Sequence, residues 1–262
     1  MTPKFSHGFA CAQRLTPWPA SWYDSHAGRE LFITLRTLPC EKAVTFEPCA
    51  YCGLCKADAE YAGLGPLSEE ELISQLNESK SQMAAKNARA VEKVRRVSII
   101  GMTHSTISPS VIPTEVLTKG ITELFKLFPK MTCIGFESRP EYLDERVLSE
   151  ISKHVKRECT KRNRKVELEL AIGVESGSES IRNEKLNKRV TDEQLFEVAK
   201  LLHKNGWRMR GYGEANQAQE GYSEQQGLVF HFHHLFWKII FRSCGAMLDF
   251  RLMSGRKERL IS

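Results

Sequence analysis

Residues 31–55, LFITLRTLPCEKAVTFEPCAYCGLC, set the terms on which the rest of the chain is read. Residues 31–35 are short, apolar and rich in strand formers. The loop they feed holds Cys40, Cys49, Cys52 and Cys55, four of the chain's eight cysteines, within sixteen residues. Thiolates at C-x-x-C spacing converge on one soft metal, because two intervening residues let the backbone turn back on itself. Two kinds of centre suit such a loop. Zinc takes four thiolates in a closed tetrahedral shell, but its C-x-x-C pairs ordinarily come as two separated doublets, whereas Cys49, Cys52 and Cys55 follow one another directly. An iron-sulfur cluster with three cysteines and one open iron fits at least as well.

Working outward, the chain alternates strands with amphipathic helices. Ser68 and Glu71 form a capping box that opens a long polar helix reaching about residue 90. Residues 97–100 form a second strand ending at Gly101. Pro113 opens a helix with Leu117, Ile121, Leu124, Phe125 and Phe128 on one face. Residues 132–136 are a third strand ending at Glu137, Asp144 precedes a helix burying Val147, Leu148, Ile151 and Val155, and residues 166–172 are a fourth strand ending at Gly173. Thr191 and Gln194 form a second capping box, whose helix closes at Asn205-Gly206. A fifth strand follows at residues 207–212.

Such alternation implies parallel βα units joined by right-handed crossovers, in an open doubly wound sheet or a barrel. Cys40, Gly101, Glu137 and Glu175 each follow a strand by a few residues, so all four gather at the sheet's carboxyl edge, where such folds place ligands.

With 262 residues the chain is long enough for one sizeable domain. Its apolar (41%) and charged (27%) fractions are ordinary for a water-soluble protein, and a net charge of +6 permits an RNA or phosphate-bearing partner without demanding one. The first twenty-two residues lack a continuous apolar core, and the longest apolar run, residues 228–241, carries three histidines and a lysine. We therefore expect no membrane span, a cytoplasmic location, and cysteines present as thiols or metal ligands rather than disulfides.

Three segments, LRTLPC with CAYC from Leu35, GFESRPEYLDERVL from Gly135 and IGVESGSESIRNEKLNK from Ile172, resemble the radical S-adenosylmethionine (SAM) superfamily. Within it the chain is similar to the radical SAM subunit of archaeosine synthase and its relatives in the elongator acetyltransferase, MiaB and NifB group. The likeness covers roughly residues 30–212. It implies an α/β fold, a partial (β/α) barrel of parallel strands, incomplete at the C-terminus if the region after Tyr212 supplies no sixth strand. It divides the chain into an irregular lead-in (1–29), a radical SAM core (30–212) and a divergent tail (213–262).

The superfamily signature is C-x3-C-x-Φ-C with Φ aromatic; here the first interval is eight residues, Cys40 to Cys49, and Tyr51 occupies the aromatic slot. The resemblance thus implies that Cys40, Cys49 and Cys52 bind a [4Fe-4S] cluster, with Cys55 dispensable and Tyr51 near the adenine of SAM. It also implies cofactor contacts from the stretch running from Gly101 to Ser105, from Glu137 and Arg139, and from Glu175 and Lys188. Its expected activity is cleavage of SAM to a 5'-deoxyadenosyl radical, with a tRNA nucleoside as substrate class and a partner subunit. The alternative is a non-catalytic zinc- or cluster-binding protein built on a truncated core. Cys133 and Cys159 read as buried or incidental thiols, and His231, His233 and His234 lack a further ligand at metal spacing.

Overall fold

The computed structural model describes residues 14–25, 28–44, 49–50, 64–101 and 105–213. The elements are β1 (Ser21–Ser25), β2 (Gly28–Leu35), α1 (Glu41–Val44), α2 (Glu69–Lys86), α3 (Ala88–Glu92), β3 (Val94–Gly101), α4 (Thr114–Leu127), β4 (Cys133–Glu137), α5 (Glu145–Lys161), β5 (Glu167–Glu175), α6 (Asp192–Lys204) and β6 (Arg208–Gly213). Among the described residues, six strands form one sheet in the order β1-β2-β3-β4-β5-β6. β1 is antiparallel to β2, and every later pair is parallel.

Strand order resolves the choice left open by the alternation. A doubly wound sheet reverses direction at a switch point, whereas β2 to β6 advance without reversal, so right-handed crossovers stack every helix on one face. The result is an open arc of a (β/α) barrel, convex toward the helices. On that convex face Leu31, Ile33, Leu35, Val97, Ile99, Ile134, Phe136, Leu168, Leu170 and Ile172 join the helix residues in one apolar cluster. No helix of the described residues is long and apolar enough to cross a membrane.

Alternation along each strand turns the other side chains into the concave face. Its lower half is charged yet dry: Glu30, Arg96, Ser98, Glu169 and Arg210 are all buried. Glu30 accepts hydrogen bonds from Tyr23 (2.5 Å), Ser98 (2.7 Å) and Arg210 (3.0 Å), while Glu169 pairs with Arg96 and with Arg210 (2.7 Å). The upper half is more open, since Phe32, Thr34, Ile100, Glu137, Gly173 and Tyr212 are only half-buried.

Two capping boxes form as expected, Ser68 with Glu71 and Thr191 with Gln194. The long polar helix stops earlier, at Lys86, because extended Asn87 breaks it before the short α3. The lead-in is not irregular throughout: β1 adds to the sheet, held by Asp24 on Arg29 and Tyr23 on Glu30. Five residues are too few to show a period, and the pairing is decided by partners across the turn. Residues 214–262, including the aromatic run 228–241 and its histidines, lie outside the described residues.

Candidate functional site at the carboxyl edge

β2 delivers its chain through Arg36 and Thr37 to Cys40, which immediately precedes α1. The hand-off is pinned from below: the buried Gln75 of α2 accepts from the Arg36 backbone N–H (2.8 Å) and donates to the Arg14 carbonyl (2.8 Å), and the Arg36 guanidinium lies 4.0 Å from the Trp18 ring. Cys40 and Cys49 are half-buried thiols. Tyr51, Cys52 and Cys55 lie outside the described residues, so the expected ligand set is seen in two of its three members.

Cys49 meets a fixed cation. Arg139, just beyond β4, points its Nη1 at the Cys49 sulfur (3.9 Å) and donates through Nη2 to the Lys188 carbonyl (2.7 Å) and through Nε to Glu141 (2.5 Å). Burial pulls the Arg139 guanidinium down, but Glu141, Cys49 and Cys40 together hold it above its usual value. Both sulfurs are therefore close enough to Arg139 to be felt electrostatically. A fixed cation beside two half-buried thiols suits a thiolate-bound centre, whose ligands are anionic.

The cysteine loop is tied to the segment after β5 at two points directly and at a third through Arg139. Ala50 N–H donates to the Leu186 carbonyl (3.0 Å), Lys42 Nζ to the Lys188 carbonyl (2.9 Å), and Arg139 to that same carbonyl. From the β4 side, Tyr142 donates to Glu41 (3.2 Å). The receiving segment is unusual: residues Ile181–Lys185 make a π-helical turn, and Asn187 (φ 49°) and Arg189 (φ 57°) flank Lys188 in the left-handed region. π turns and left-handed non-glycine residues are costly and concentrate at functional sites.

Arg182 holds this segment, and nothing in the sequence singles it out. Fully buried, it donates to the carbonyls of Val190 (2.6 Å) and Ser176 (2.8 Å) and pairs with Asp192 at the start of α6. The only available signal was its place inside a long polar run between a strand and a capping box.

Glu175, itself left-handed at φ 64°, pairs with Lys188 Nζ (2.9 Å) over Gly173. A Cβ at Gly173 would sit 2.7 Å from that Nζ, so any larger residue there would push the pair aside. Beside it lies Glu137; burial pushes its carboxyl up to about 8, with Lys188 opposing and Glu175 reinforcing the rise. Glu137 keeps part of its surface open along the concavity, yet its carboxyl is enclosed by strand ends, and that enclosure sets its charge state.

Four expected contact residues, Glu137, Arg139, Glu175 and Lys188, are thus one constellation. Gly101 is the last residue of β3, buried and paired with Leu35. Ser105 is buried with its hydroxyl accepting from Ser138 Oγ (3.0 Å) and Arg139 N–H (2.9 Å), bonds that shape the loop carrying Arg139. Cys133 lies at the opposite end of the sheet, its thiol pushed up to about 12 by burial.

No protein-family model matches the chain. A 180-residue stretch is 28% identical to the uncharacterized protein MJ0550 of Methanocaldococcus jannaschii, covering 68% of this chain and 44% of that protein, so the chain spans less than half of that relative's length. Among solved structures, similar chains include a queuine lyase from Clostridium spiroforme bound to SAM and queuine (TM-score 0.39, 12% identity, 92% of this chain and 96% of that one). Another is the radical S-adenosylmethionine methyltransferase TsrM from Kitasatospora setae, bound to tryptophan and a SAM analog (TM-score 0.38, 12% identity, 70% and 29%). Likeness at that level carries no argument about chemistry.

Proposed function

We propose that the chain is a radical SAM enzyme whose cluster-binding cysteines are Cys40, Cys49 and Cys52. The observation that carries the reading is the placing of Cys40 and Cys49 at the carboxyl edge of consecutive parallel strands, with the Arg139 guanidinium 3.9 Å from the Cys49 sulfur, within the motif order CAYC, GFESRP and IGVESGSES. Cys40, Cys49 and Cys52 would hold a [4Fe-4S] cluster, which when bound would supply one-electron reduction of SAM. The protein's part is to bind, orient and keep water away.

Arg139 locks the cysteine loop to the Lys188 segment, so neither moves without the other. The Glu175–Lys188 pair presents a carboxylate and an ammonium at one rim, complementary to the amino and carboxylate groups of an amino-acid moiety. Glu137 holds a proton on its carboxyl near neutral pH and can donate a hydrogen bond into the concavity. The substrate class is a modified nucleoside in tRNA, supported by the archaeosine-type motif order and the net positive charge, and a partner subunit completes the working enzyme.

Anaerobic reconstitution tests this directly. Iron and acid-labile sulfide should load in cluster stoichiometry, and dithionite with SAM should yield 5'-deoxyadenosine. Stoichiometric zinc without iron, or a fully loaded protein that forms no 5'-deoxyadenosine, would overturn the reading.

A further inference from the structure

At the amino edge of the sheet, opposite the cysteine loop, the starts of β3 to β6 enclose a cleft of about 290 Å3. Its walls carry Arg95, Arg96, Lys165 and Arg208 against one carboxylate, Glu167, with Cys133 at the base. We propose that this cleft binds a phosphate-class dianion.

The charge balance is the first reason. Counting the groups just behind the wall, Arg210 with Glu30 and Glu169, five cations face three carboxylates, and a double positive excess stays at the mouth. The cations are also held in place. Arg96 is buried and locked on Glu169, Arg208 is paired with Glu167 (3.0 Å), and Arg95 is anchored through Nη1 on the carbonyls of Glu92 (3.1 Å) and Val94 (3.2 Å). Cations oriented before a ligand arrives lose little entropy on binding it, and low-dielectric walls focus their field.

Ligand class follows from the donors. A wall of four cations against one carboxylate, itself paired with Arg208, repels metal ions, and burial holds the Cys133 thiol in its protonated form. Guanidinium forks match the oxygens of a phosphate bidentately, with a mobile ammonium, that of the exposed Lys165, closing over them. The volume lies at the lower end of the range for small-molecule sites, so it suits a pyrophosphate-sized group rather than a whole nucleotide. None of this depends on the cysteines, and cluster loading and anion binding can fail separately.

Calorimetric titration of the 262-residue chain with pyrophosphate at low salt should show saturable one-to-one binding. Lys165→Glu, an exposed change that leaves the core intact, should weaken it about tenfold. Lys153→Glu, an equal charge reversal on the exposed face of α5, should leave it unchanged. Lack of saturable binding, or equal weakening by both variants, would overturn the proposal. A single-stranded RNA that pyrophosphate displaces would identify a phosphodiester backbone as the source of the anion; binding of pyrophosphate alone would identify a small phosphate ester.

Discussion

Glu137 is the residue whose charge state the fold most alters. Its carboxyl rises from the usual 4.5 to about 8, so the folded state prefers the protonated form. Stability from this preference is fully present below about pH 4.5 and is lost as pH rises through about 8. Glu137→Gln keeps the shape without the charge. The variant should therefore be more stable than the parent at pH 9, by about 4–5 kcal/mol, and scarcely different at pH 5. Thermal unfolding at both pH values checks this, and parallel pH profiles for the two proteins would remove Glu137 as the source. The cysteines make a second prediction at this scale. Cys40→Ala, Cys49→Ala and Cys52→Ala should each abolish the visible absorption of a reconstituted cluster, whereas Cys55→Ala should keep most of it. Tyr51 in the aromatic slot before Cys52 is the reason for the distinction. Loss in Cys55→Ala with retention in Cys40→Ala would invert the assignment.

At the scale of elements, the segment from Ser176 to Asp192 behaves as one clasp. Arg182 is its pin, since one side chain joins the β5 exit, the Val190 carbonyl and the start of α6. Arg182→Ala leaves two buried carbonyls without this donor and a cavity where the side chain lay. We expect a loss of about 3 kcal/mol or more in urea unfolding, with faster amide exchange across residues 176–191. Exchange confined to the substituted residue itself would show that the clasp does not depend on it. The capping boxes are a smaller matter: Ser68→Ala should cost about 1 kcal/mol, because α2 then begins with an unmet N–H.

For the whole molecule, the charged lower half of the concave face is the feature on which the arc's integrity rests. Glu30, Arg96, Glu169 and Arg210 lie on four strands, β2, β3, β5 and β6, and tie the two ends of the arc across its interior. Burial raises the Glu30 carboxyl, but Arg210, Tyr23 and Ser98 outweigh it and hold the pKa below its usual 4.5. That stabilisation is present above about pH 4.5 and fades as the pH falls, opposite in sign to Glu137. Removing the Glu169 charge leaves Arg96 and Arg210, both buried, to share the single carboxylate of Glu30. Glu169→Gln should accordingly cost about 3–5 kcal/mol, read from the urea midpoint, and an effect below about 1 kcal/mol would mean that water replaces the lost charge.

Much of this was written locally. The strand-helix alternation from residue 31 to 212, both capping boxes, the Asn205-Gly206 stop and the gathering of Cys40, Gly101, Glu137 and Glu175 at the carboxyl ends of strands all follow from short-range patterns, although Gly101, Glu137 and Glu175 close their strands rather than follow them. Side-chain period and cap chemistry act within a few residues, so the chain alone determines them. What the tertiary structure decided involves partners far apart in sequence. The concave face is ionic because residues as distant as Glu30 and Arg210 meet across the arc, 180 positions apart. Arg182 becomes a pin, and Arg139 the meeting point of the Cys49 thiol and a distant carbonyl, only once the strands stand in order. Desolvation and long-range pairing leave no periodic trace in a sequence, since both are properties of the assembled sheet.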